Sequence, residues 1–294
     1  MTRKALILGA SGIFGAAVAA AFTHSGWQVA RYQRGTDMAK EADGADLIVN
    51  GLNPPLYHDW PRLIPQITEQ VIAAAKNSGA RVLVPGNVYV FGTEPAPWSS
   101  ATPHRPVSVK GRVRAAMEAR YRAAAAEGVR TIVLRAGDFL NEASPSTVMN
   151  MVVLKSLAKG RITALGTPDA QRAYAYLPDL ARAAVALAER ADLPEFADIA
   201  FPGHTFSITD LAAIITAQTG QPLRITGFPW WLMRISSPVW ELAREMAEMR
   251  YLYSHPHWLD GTDFARLVPG FDATPLATIV AAHLAQRGLG LRAA

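Results

Sequence analysis

The chain has 294 residues, of which half are hydrophobic and 18% are charged, with a formal net charge of +5 and no cysteine. This composition is typical of a globular protein with a large core, and the lack of cysteine excludes disulfides, thiolate metal sites and thiol nucleophiles. The positive charge comes from scattered arginines, which fits phosphorylated small molecules at least as well as nucleic acid. The arginines at 112, 114, 120 and 122 do not share one helix face, so no nucleic-acid partner is expected. No stretch reaches the ~20 apolar residues that span a bilayer, and the glycine-rich start differs from a signal peptide. We therefore expect a cytoplasmic protein with no membrane partner.

Short apolar runs alternate with helical segments through the first half of the chain. The patterns predict strands at 4–8, 27–32, 46–50, 80–86 and 129–137, and helices at 13–25, 60–77 and 114–128. In the last of these helices, Glu118 and Arg122 have the spacing of an i to i+4 ion pair. The alternation indicates crossover units and a parallel sheet that is covered on both faces. The sequence thus predicts an α/β fold with a Rossmann-like, doubly wound parallel sheet.

The pattern loosens after about residue 140. We predict helices at 146–160 and 207–220, a turn into a helix over 173–190, and a short strand at 198–203. Ser207 and Asp210 have the spacing of a capping box at the start of the helix predicted at 207–220. We expect a dinucleotide-binding domain over 1–165, to which 172–190 returns, and a small, mostly helical substrate-binding lobe over 191–294.

Tryptophans concentrate in the C-terminal segment. In the more favoured interpretation they pack in the core. In the alternative they line a partly apolar substrate pocket or form the interface of a homodimer. Four residues are concerned: Trp230, Trp231, Trp240 and Trp258.

A glycine-rich turn, GASGIFG, follows the first predicted strand and opens the first predicted helix. Gly9, Gly12 and Gly15 have the roles expected of such a turn: a tight bend, close approach of the backbone to a pyrophosphate, and packing of helix on strand. The helix N-terminus adds free N–H groups and a positive dipole for phosphates. Because the strand–turn–helix context supports the motif, we predict dinucleotide binding, with Ser11, Ile13 and Phe14 of the same turn also in contact with the cofactor.

The end of the second strand discriminates between cofactors. An NAD site usually has an acidic residue there, whereas an arginine suits the 2′-phosphate of NADP. The segment ARYQRG has Gln33 at the acid position, with Arg31 and Arg34 beside it. We therefore predict NADP as the cofactor, with NAD as the alternative. Solvated loop charges are the competing interpretation, equally weighted for Arg31 and less favoured for Arg34.

These motifs resemble the extended and atypical short-chain dehydrogenase/reductase family, the NAD-dependent epimerase/dehydratase group. The resemblance rests on GASGIFG, ADLIVNGLNPP, RVLVPGNVYVFG, KGRVRAAMEARY, VLRAGDFL and YAYLPDLARAAV, and it extends to about residue 210. It implies that Leu52 and Asn53 lie beneath the adenine and the nicotinamide ribose. It also implies an enzyme that works with a nicotinamide cofactor and a small-molecule substrate.

The resemblance also implies catalytic positions, and two of the three are changed. In the family a tyrosine four residues before a lysine exchanges a proton with the substrate, and the lysine lowers the pKa of that phenol and holds the nicotinamide ribose. Lys110 matches the lysine, but Pro106 stands at the tyrosine position. Asn87 stands at the position of the family's serine, where an amide can still donate a hydrogen bond to a carbonyl.

Several residues are candidates for the remaining roles. Tyr89 is the nearest replacement phenol, on the same face as Asn87 if the strand continues, although a packed ring is the more favoured interpretation. Ser108 is a weaker candidate for the same role. Asp138 matches the loop that contacts nicotinamide in relatives, with a loop cap as the equal alternative. Tyr174 and Tyr176 alternate along an extended stretch and either line the substrate pocket or pack.

No metal site is predicted. His255 and His257 form the only close histidine pair, and the proline between them favours an ordinary loop. The leading hypothesis is an NADP-dependent oxidoreductase or epimerase/dehydratase that acts on a small carbonyl, an alcohol or a sugar nucleotide. The rival hypothesis is a non-catalytic NADP-binding sensor or assembly protein that has lost its proton donor at Pro106.

Overall fold

The computed structural model describes residues 2–290, and its centre is a sheet of six parallel strands. Their order is β2-β1-β3-β4-β5-β9. The strands are β1 (Lys4–Leu8), β2 (Gln28–Arg31), β3 (Leu47–Asn50), β4 (Arg81–Gly86), β5 (Thr131–Arg135) and β9 (Phe196–Ala200). Both faces of the sheet are buried, which explains why these strands are almost continuous apolar runs.

Helices cover the two faces of this sheet. One face carries α1 (Ile13–His24) and α5 (Leu177–Ala188), which share a buried apolar core with the sheet. The opposite face carries α2 (Met38–Glu41), α3 (Trp60–Ser78) and α4 (Val109–Ala124), which form a second core. The predicted doubly wound α/β fold is therefore confirmed.

A smaller lobe follows the central sheet. Its strands are β6 (Asp138–Leu140), β8 (Arg172–Tyr176) and β10 (His204–Phe206), in the order β10-β8-β6, and the parallel pair β7 (Arg161–Ala164) and β11 (Arg224–Gly227). Its helices are α6 (Ile208–Thr219), α7 (Trp230–Ser236), α8 (Glu241–Glu248), α9 (Thr262–Leu267) and α10 (Leu276–Ala285). Short 3₁₀ turns lie at Pro55–Tyr57, Tyr89–Phe91, Ala125–Glu127, Leu157–Lys159 and Met249–Tyr253, and a π turn at Met149–Val153. None of the helices within residues 2–290 has the length and apolarity needed to cross a membrane.

The predicted division at residues 165 and 191 does not follow the strand pairing. Strand β9 is the sixth strand of the central sheet and pairs with β5, although the sequence pattern predicts it in the C-terminal lobe. Strand β7 was assigned to the dinucleotide-binding domain but pairs with β11 of the lobe. Phe264 of α9 returns to the central core and packs edge-on against Phe201, with ring centroids 5.2 Å apart. Strand partners are set by long-range hydrogen bonds, which the local pattern does not encode.

Three predicted elements also differ from the structure. The segment 146–160 forms a π turn and a 3₁₀ turn rather than one helix. Asn150 Nδ2 donates to the carbonyls of Asn141 and Ser144, which ties this segment to the loop before it. The turn predicted at the start of 173–190 is strand β8. Helix α4 begins five residues earlier than predicted. At α6, by contrast, the capping box of Ser207 and Asp210 is present as predicted.

The two histidines of the segment SHPHW pack against Trp98. The ring centroid of His257 lies 4.7 Å from that of Trp98, and the two rings are nearly parallel. Burial lowers the pKa of His257 to about 4, opposed by the backbone carbonyl of His255. These histidines are therefore packing residues in the structure.

This packing predicts a pH-dependent stability. Folded His257 stays neutral while the unfolded chain takes up a proton below its ordinary pKa of 6.5, so the free energy of unfolding falls as the pH drops from 6.5 to about 4. The loss attributable to His257 reaches roughly 3 kcal/mol at 1.36 kcal/mol per pH unit. Urea denaturation across this range is expected to show a shallower pH dependence for His257→Phe than for the wild type. His24→Phe, at an exposed position, is the control, and an unchanged slope in His257→Phe would contradict the prediction.

Candidate functional site

The glycine turn forms a narrow cradle at the carboxyl end of β1. Gly9 has φ +74°, and a Cβ there would lie 2.6 Å from the Gly51 carbonyl oxygen. A Cβ on Gly15 would lie 2.2 Å from the Gly9 carbonyl oxygen. Helix α1 begins at Ile13 with no side chain capping its first N–H groups, so these donors remain free for an anion. The cradle therefore fits a pyrophosphate.

The other predicted residues of this turn differ in their exposure. Ser11 is exposed and Ile13 is partly buried. Phe14 is buried in the central core and stacks on Phe139, with ring centroids 6.2 Å apart. Its side chain is thus a packing group, and only its backbone is free to contact a cofactor.

Two arginines lie at the end of β2. Arg31 and Arg34 are both exposed, and neither forms an ion pair or a side-chain hydrogen bond within residues 2–290. The loop that carries Arg34 is held by the Tyr32 hydroxyl, which donates to the Thr36 carbonyl at 3.0 Å. Both guanidinium groups therefore remain free for an anionic ligand.

The segment after β3 runs beside the cradle. Leu52 N donates to Asn50 Oδ1 at 3.2 Å, and the Leu52 side chain packs on the core under α3 and α4. Asn53 is exposed, and its Oδ1 accepts from Arg114 Nη2 at 2.8 Å. Its carboxamide is therefore tied to α4 by its oxygen and retains only its N–H donors.

Lys110 lies in the first turn of α4, and its side chain is 2% exposed. Its Nζ donates to Glu245 Oε2 at 2.5 Å and to Glu248, both on α8. The Nζ also lies 5.1 Å from the ring centroid of Tyr57. A lysine ammonium has three donors, and these two contacts use two of them. Lys110 is a buried, paired cation and not a surface charge.

The segment before Lys110 lies outside the helix. Ser108 is the N-cap of α4 and accepts from Gly111 N at 2.9 Å, which gives this residue a structural role. Pro106 therefore precedes the helix and does not share a helical face with Lys110. A tyrosine placed there would lack the i to i+4 geometry of the family's pair.

Asn87 and Tyr89 lie just beyond β4. The strand ends at Gly86 and Tyr89 begins a 3₁₀ turn, so the strand does not continue, and the condition for a shared strand face of Asn87 and Tyr89 is not met. Asn87 Oδ1 accepts from Tyr89 N at 3.0 Å, a local bond that ends the strand. The amide nitrogen of Asn87 makes no hydrogen bond within residues 2–290 and remains a free donor.

Tyr57 is a site residue that the sequence analysis missed. Its hydroxyl lies 3.5 Å from that of Tyr89, and burial raises the pKa of both phenols. Leu56, Tyr57 and Asp59 all have positive φ between 46° and 64°, a conformation that costs free energy in non-glycine residues and that clusters at functional sites. No local sequence signal points to this segment, apart from the two prolines before it.

Asp138 closes the other side of this cluster. It accepts from Arg172 Nη2 in an ion pair, and its charge contributes to the raised pKa of Tyr57 and Tyr89. Asp138 therefore lies near the phenols, but its carboxylate is already paired.

The two predicted substrate tyrosines of β8 have different surroundings. Tyr174 is buried and stacks on Phe206 with centroids 4.1 Å apart, which fits the packing interpretation. Tyr176 is partly buried and donates to Glu142 Oε1 at 3.2 Å, and burial raises its pKa to about 12. Tyr176 alone of the two keeps an accessible hydroxyl.

The tryptophans divide between two interpretations. Trp230 donates to the Leu165 carbonyl at 2.6 Å and packs in the lobe. Trp231 and Trp240 are exposed, as is Val239 at 91%. The core interpretation thus holds for Trp230, while the exposed apolar side chains of α7 and of the turn before α8 fit a contact surface.

A cluster of possible metal ligands is already neutralised. The ligand atoms of His104, Glu118 and Asp198 lie within 4.8 Å of one another. The Arg135 guanidinium lies between the carboxylates, donating to Glu118 at 2.6 Å and to Asp198 at 2.7 Å. A cation therefore occupies the place where a metal ion would gain its charge stabilisation. The helical spacing predicts an ion pair of Glu118 with Arg122. In the structure Glu118 pairs with Arg135 instead.

Comparison with known sequences supports the resemblance. Residues 65–200 match the model of the NAD dependent epimerase/dehydratase family. This match confirms the resemblance predicted from the motifs, and it supports the prediction of an enzyme. No curated protein matched the sequence.

Solved structures share the fold over nearly the whole chain. MoeE5 in complex with UDP-glucose and NAD has a TM-score of 0.77 at 16% identity, covering 97% of this chain and 98% of that one. UDP-glucuronic acid 4-epimerase from Bacillus cereus, in complex with UDP-glucuronic acid and NAD, has a TM-score of 0.74 at 16% identity, covering 96% and 98%. The NAD dependent NDP-hexosamine 5,6-dehydratase TunA has a TM-score of 0.74 at 16% identity, covering 98% of each chain. At these identities the likeness establishes a common fold.

Proposed function

We propose that this chain, whose residues 65–200 carry the sequence pattern of the NAD dependent epimerase/dehydratase family, binds a nicotinamide dinucleotide and oxidises a hydroxyl-bearing carbon of a sugar nucleotide. The observation that carries the proposal is the glycine cradle with its uncapped helix N-terminus. The cradle follows β1 and Asn87 follows β4, so both lie at the carboxyl edge of the parallel sheet. The substrate class follows from the neighbours in complex with UDP sugars. When bound, the cofactor supplies hydride transfer.

Each group of the site has a proposed part in this function. The cradle binds the pyrophosphate, and Lys110 uses its remaining donor for the nicotinamide ribose. The free amide of Asn87 donates to the substrate oxygen. Tyr89 lines the site beside Tyr57, and Tyr176 offers a hydroxyl from the lobe, whose strands and helices bind the sugar nucleotide.

The lysine role can be tested on its own. Lys110→Met is expected to weaken cofactor binding and to lower turnover by roughly 100-fold, because it removes the ribose donor and leaves two carboxylates without their cation. Calorimetric titration with NADP and product analysis with UDP-glucose would measure the two effects. Lys155→Met, at an exposed lysine, is the matched control. Wild-type affinity and turnover in Lys110→Met would contradict the assignment.

We propose NADP as the preferred cofactor, supported by the exposed arginines at the end of β2. A charge-assisted contact with the 2′-phosphate is worth about 1.5–3 kcal/mol. Arg34→Ala is therefore expected to weaken NADP binding by roughly 10-fold or more while leaving NAD binding unchanged, and Arg31→Ala tests the second arginine separately. Lys40→Ala, an exposed cation on α2, serves as control. Equal wild-type affinities for NADP and NAD would reject the preference.

A further inference from the structure

We infer that Glu245 of α8 is the proton-transfer group that replaces the tyrosine missing at Pro106. The inference rests on the proposed function, since it supplies the general base for oxidation of the substrate hydroxyl. It assigns a catalytic residue to a helix that lies beyond the part of the chain matching the family model.

The position of the carboxylate beside the lysine is the first argument. Lys110 Nζ is buried, and it contacts the carboxylates of Glu245 and Glu248, whose side chains are 20% and 24% exposed. In the family's arrangement the proton-transfer group stands next to this same lysine. Here the carboxylates of α8 stand there.

The hydrogen bonds distinguish the two carboxylates. Both oxygens of Glu248 are engaged, because Oε1 accepts from the Val109 N–H and Oε2 accepts from Lys110. Glu245 has Oε2 on Lys110, whereas its Oε1 has only a 3.4 Å contact with the Nε of Arg244, an exposed side chain. Glu248 thus anchors α8 on α4, and Glu245 retains an oxygen for a substrate hydroxyl.

The neighbouring phenols are poorer bases in this geometry. Lys110 Nζ lies 5.1 Å from the ring centroid of Tyr57, and its hydrogen bonds go to Glu245 and Glu248. Its charge lowers the pKa of Tyr57, but burial is the larger effect and raises it. The Tyr57 and Tyr89 hydroxyls face each other, and burial raises the pKa of both. Glu245, in contrast, contacts Lys110 through Oε2 and keeps Oε1 with only the 3.4 Å contact to Arg244, so this oxygen can accept a hydrogen bond from a substrate hydroxyl.

The proposed step balances. The O–H bond of the substrate carbinol breaks and its proton moves to Oε1 of Glu245, while a nicotinamide dinucleotide held by the glycine cradle would supply the two-electron acceptor for the hydride of the C–H bond that breaks. The carbinol becomes a carbonyl, and the reverse step returns both the proton and the hydride. Lys110 keeps its charge throughout and holds the carboxylate in place.

Glu245→Gln tests the inference, with Glu241→Gln as the matched control because Glu241 lies on the same helix but pairs with exposed His58 at 3.1 Å. Glu245→Gln is expected to lower turnover with UDP-glucose by at least roughly 100-fold, with calorimetric affinities for NADP and UDP-glucose and the Tm kept at wild-type values. Glu241→Gln is expected to match the wild type in all four measurements. In Glu245→Ala, added formate is expected to restore part of the lost rate.

The outcomes separate the two proposals. Turnover of Glu245→Gln within about threefold of the wild type would overturn the inference and leave the proposed function standing. A second outcome would also overturn the inference. If Glu245→Gln lowers the affinities and the Tm along with turnover, and formate does not raise the rate of Glu245→Ala, Glu245 has a structural role. A wild-type protein that turns over no sugar nucleotide would overturn the proposed function, and the inference with it.

Discussion

Gly15→Ala is expected to abolish dinucleotide binding. The new Cβ would lie 2.2 Å from the Gly9 carbonyl oxygen, 2.8 Å from the Gly9 carbonyl carbon and 3.0 Å from Ala10 Cα. All three are backbone atoms of the cradle, so they can yield only by opening the turn that we propose as the pyrophosphate site. Because the first-turn N–H groups of α1 would move with it, we expect the affinity for NADP to fall by roughly 100-fold or more.

Calorimetric titration with NADP is the measurement for this variant. Gly227→Ala is the matched control, because a Cβ at Gly227 meets nothing within 4 Å and this residue lies in β11, on the separate two-stranded sheet of the lobe. Circular dichroism would establish that Gly15→Ala is folded before it is titrated. A folded Gly15→Ala protein with wild-type affinity would show that the cofactor does not use this turn.

Arg135→Met is expected to cause the largest loss of stability. Arg135 is fully buried, and its guanidinium pairs with the equally buried carboxylates of Glu118 and Asp198. Removing the cation leaves two uncompensated negative charges in the interior, which costs about 3–5 kcal/mol in the free energy of unfolding. Arg135 Nη1 also donates to the Asn87 carbonyl at 2.6 Å, so the loop that carries Asn87 is expected to loosen as well.

Urea denaturation near neutral pH would measure the effect. Arg120→Met is the matched control: this arginine pairs with Glu69 and Glu127 near the surface, where an ion pair contributes about 0–1 kcal/mol. The triple variant Arg135→Met/Glu118→Gln/Asp198→Asn is expected to recover part of the loss, because it removes the charges along with their partner. A loss in Arg135→Met no larger than in Arg120→Met would contradict this account.

The α8 contact changes how the altered family motif is understood. Pro106 by itself is as compatible with a degenerate, non-catalytic protein as with an enzyme that uses another proton donor. Glu245 and Glu248 lie 135 and 138 residues further along the chain than Lys110, so no local motif joins them. Their spacing of three does place both on one helix face, but that pattern alone is typical of a solvated surface.

Local patterns in the sequence were sufficient for the fold and for the cofactor cradle. The strands of the central sheet are apolar because both of its faces are covered, and the glycines at 9, 12 and 15 follow the first strand at a spacing that few other structures require. The capping box at Ser207 and Asp210 is likewise a local interaction, since its partners are three residues apart.

Long-range packing decided what the sequence left open. The pairing of β9 with β5, the ion pairs of Glu118 and Arg135, and the contact of Glu245 with Lys110 each join residues that are distant in the chain. Such contacts depend on which surfaces meet after the sheet and the lobe have formed. The sequence by itself therefore determined the fold class and the strand–turn–helix position of the glycine turn, whereas only the tertiary structure brought together Lys110, Tyr57 and the carboxylates of α8.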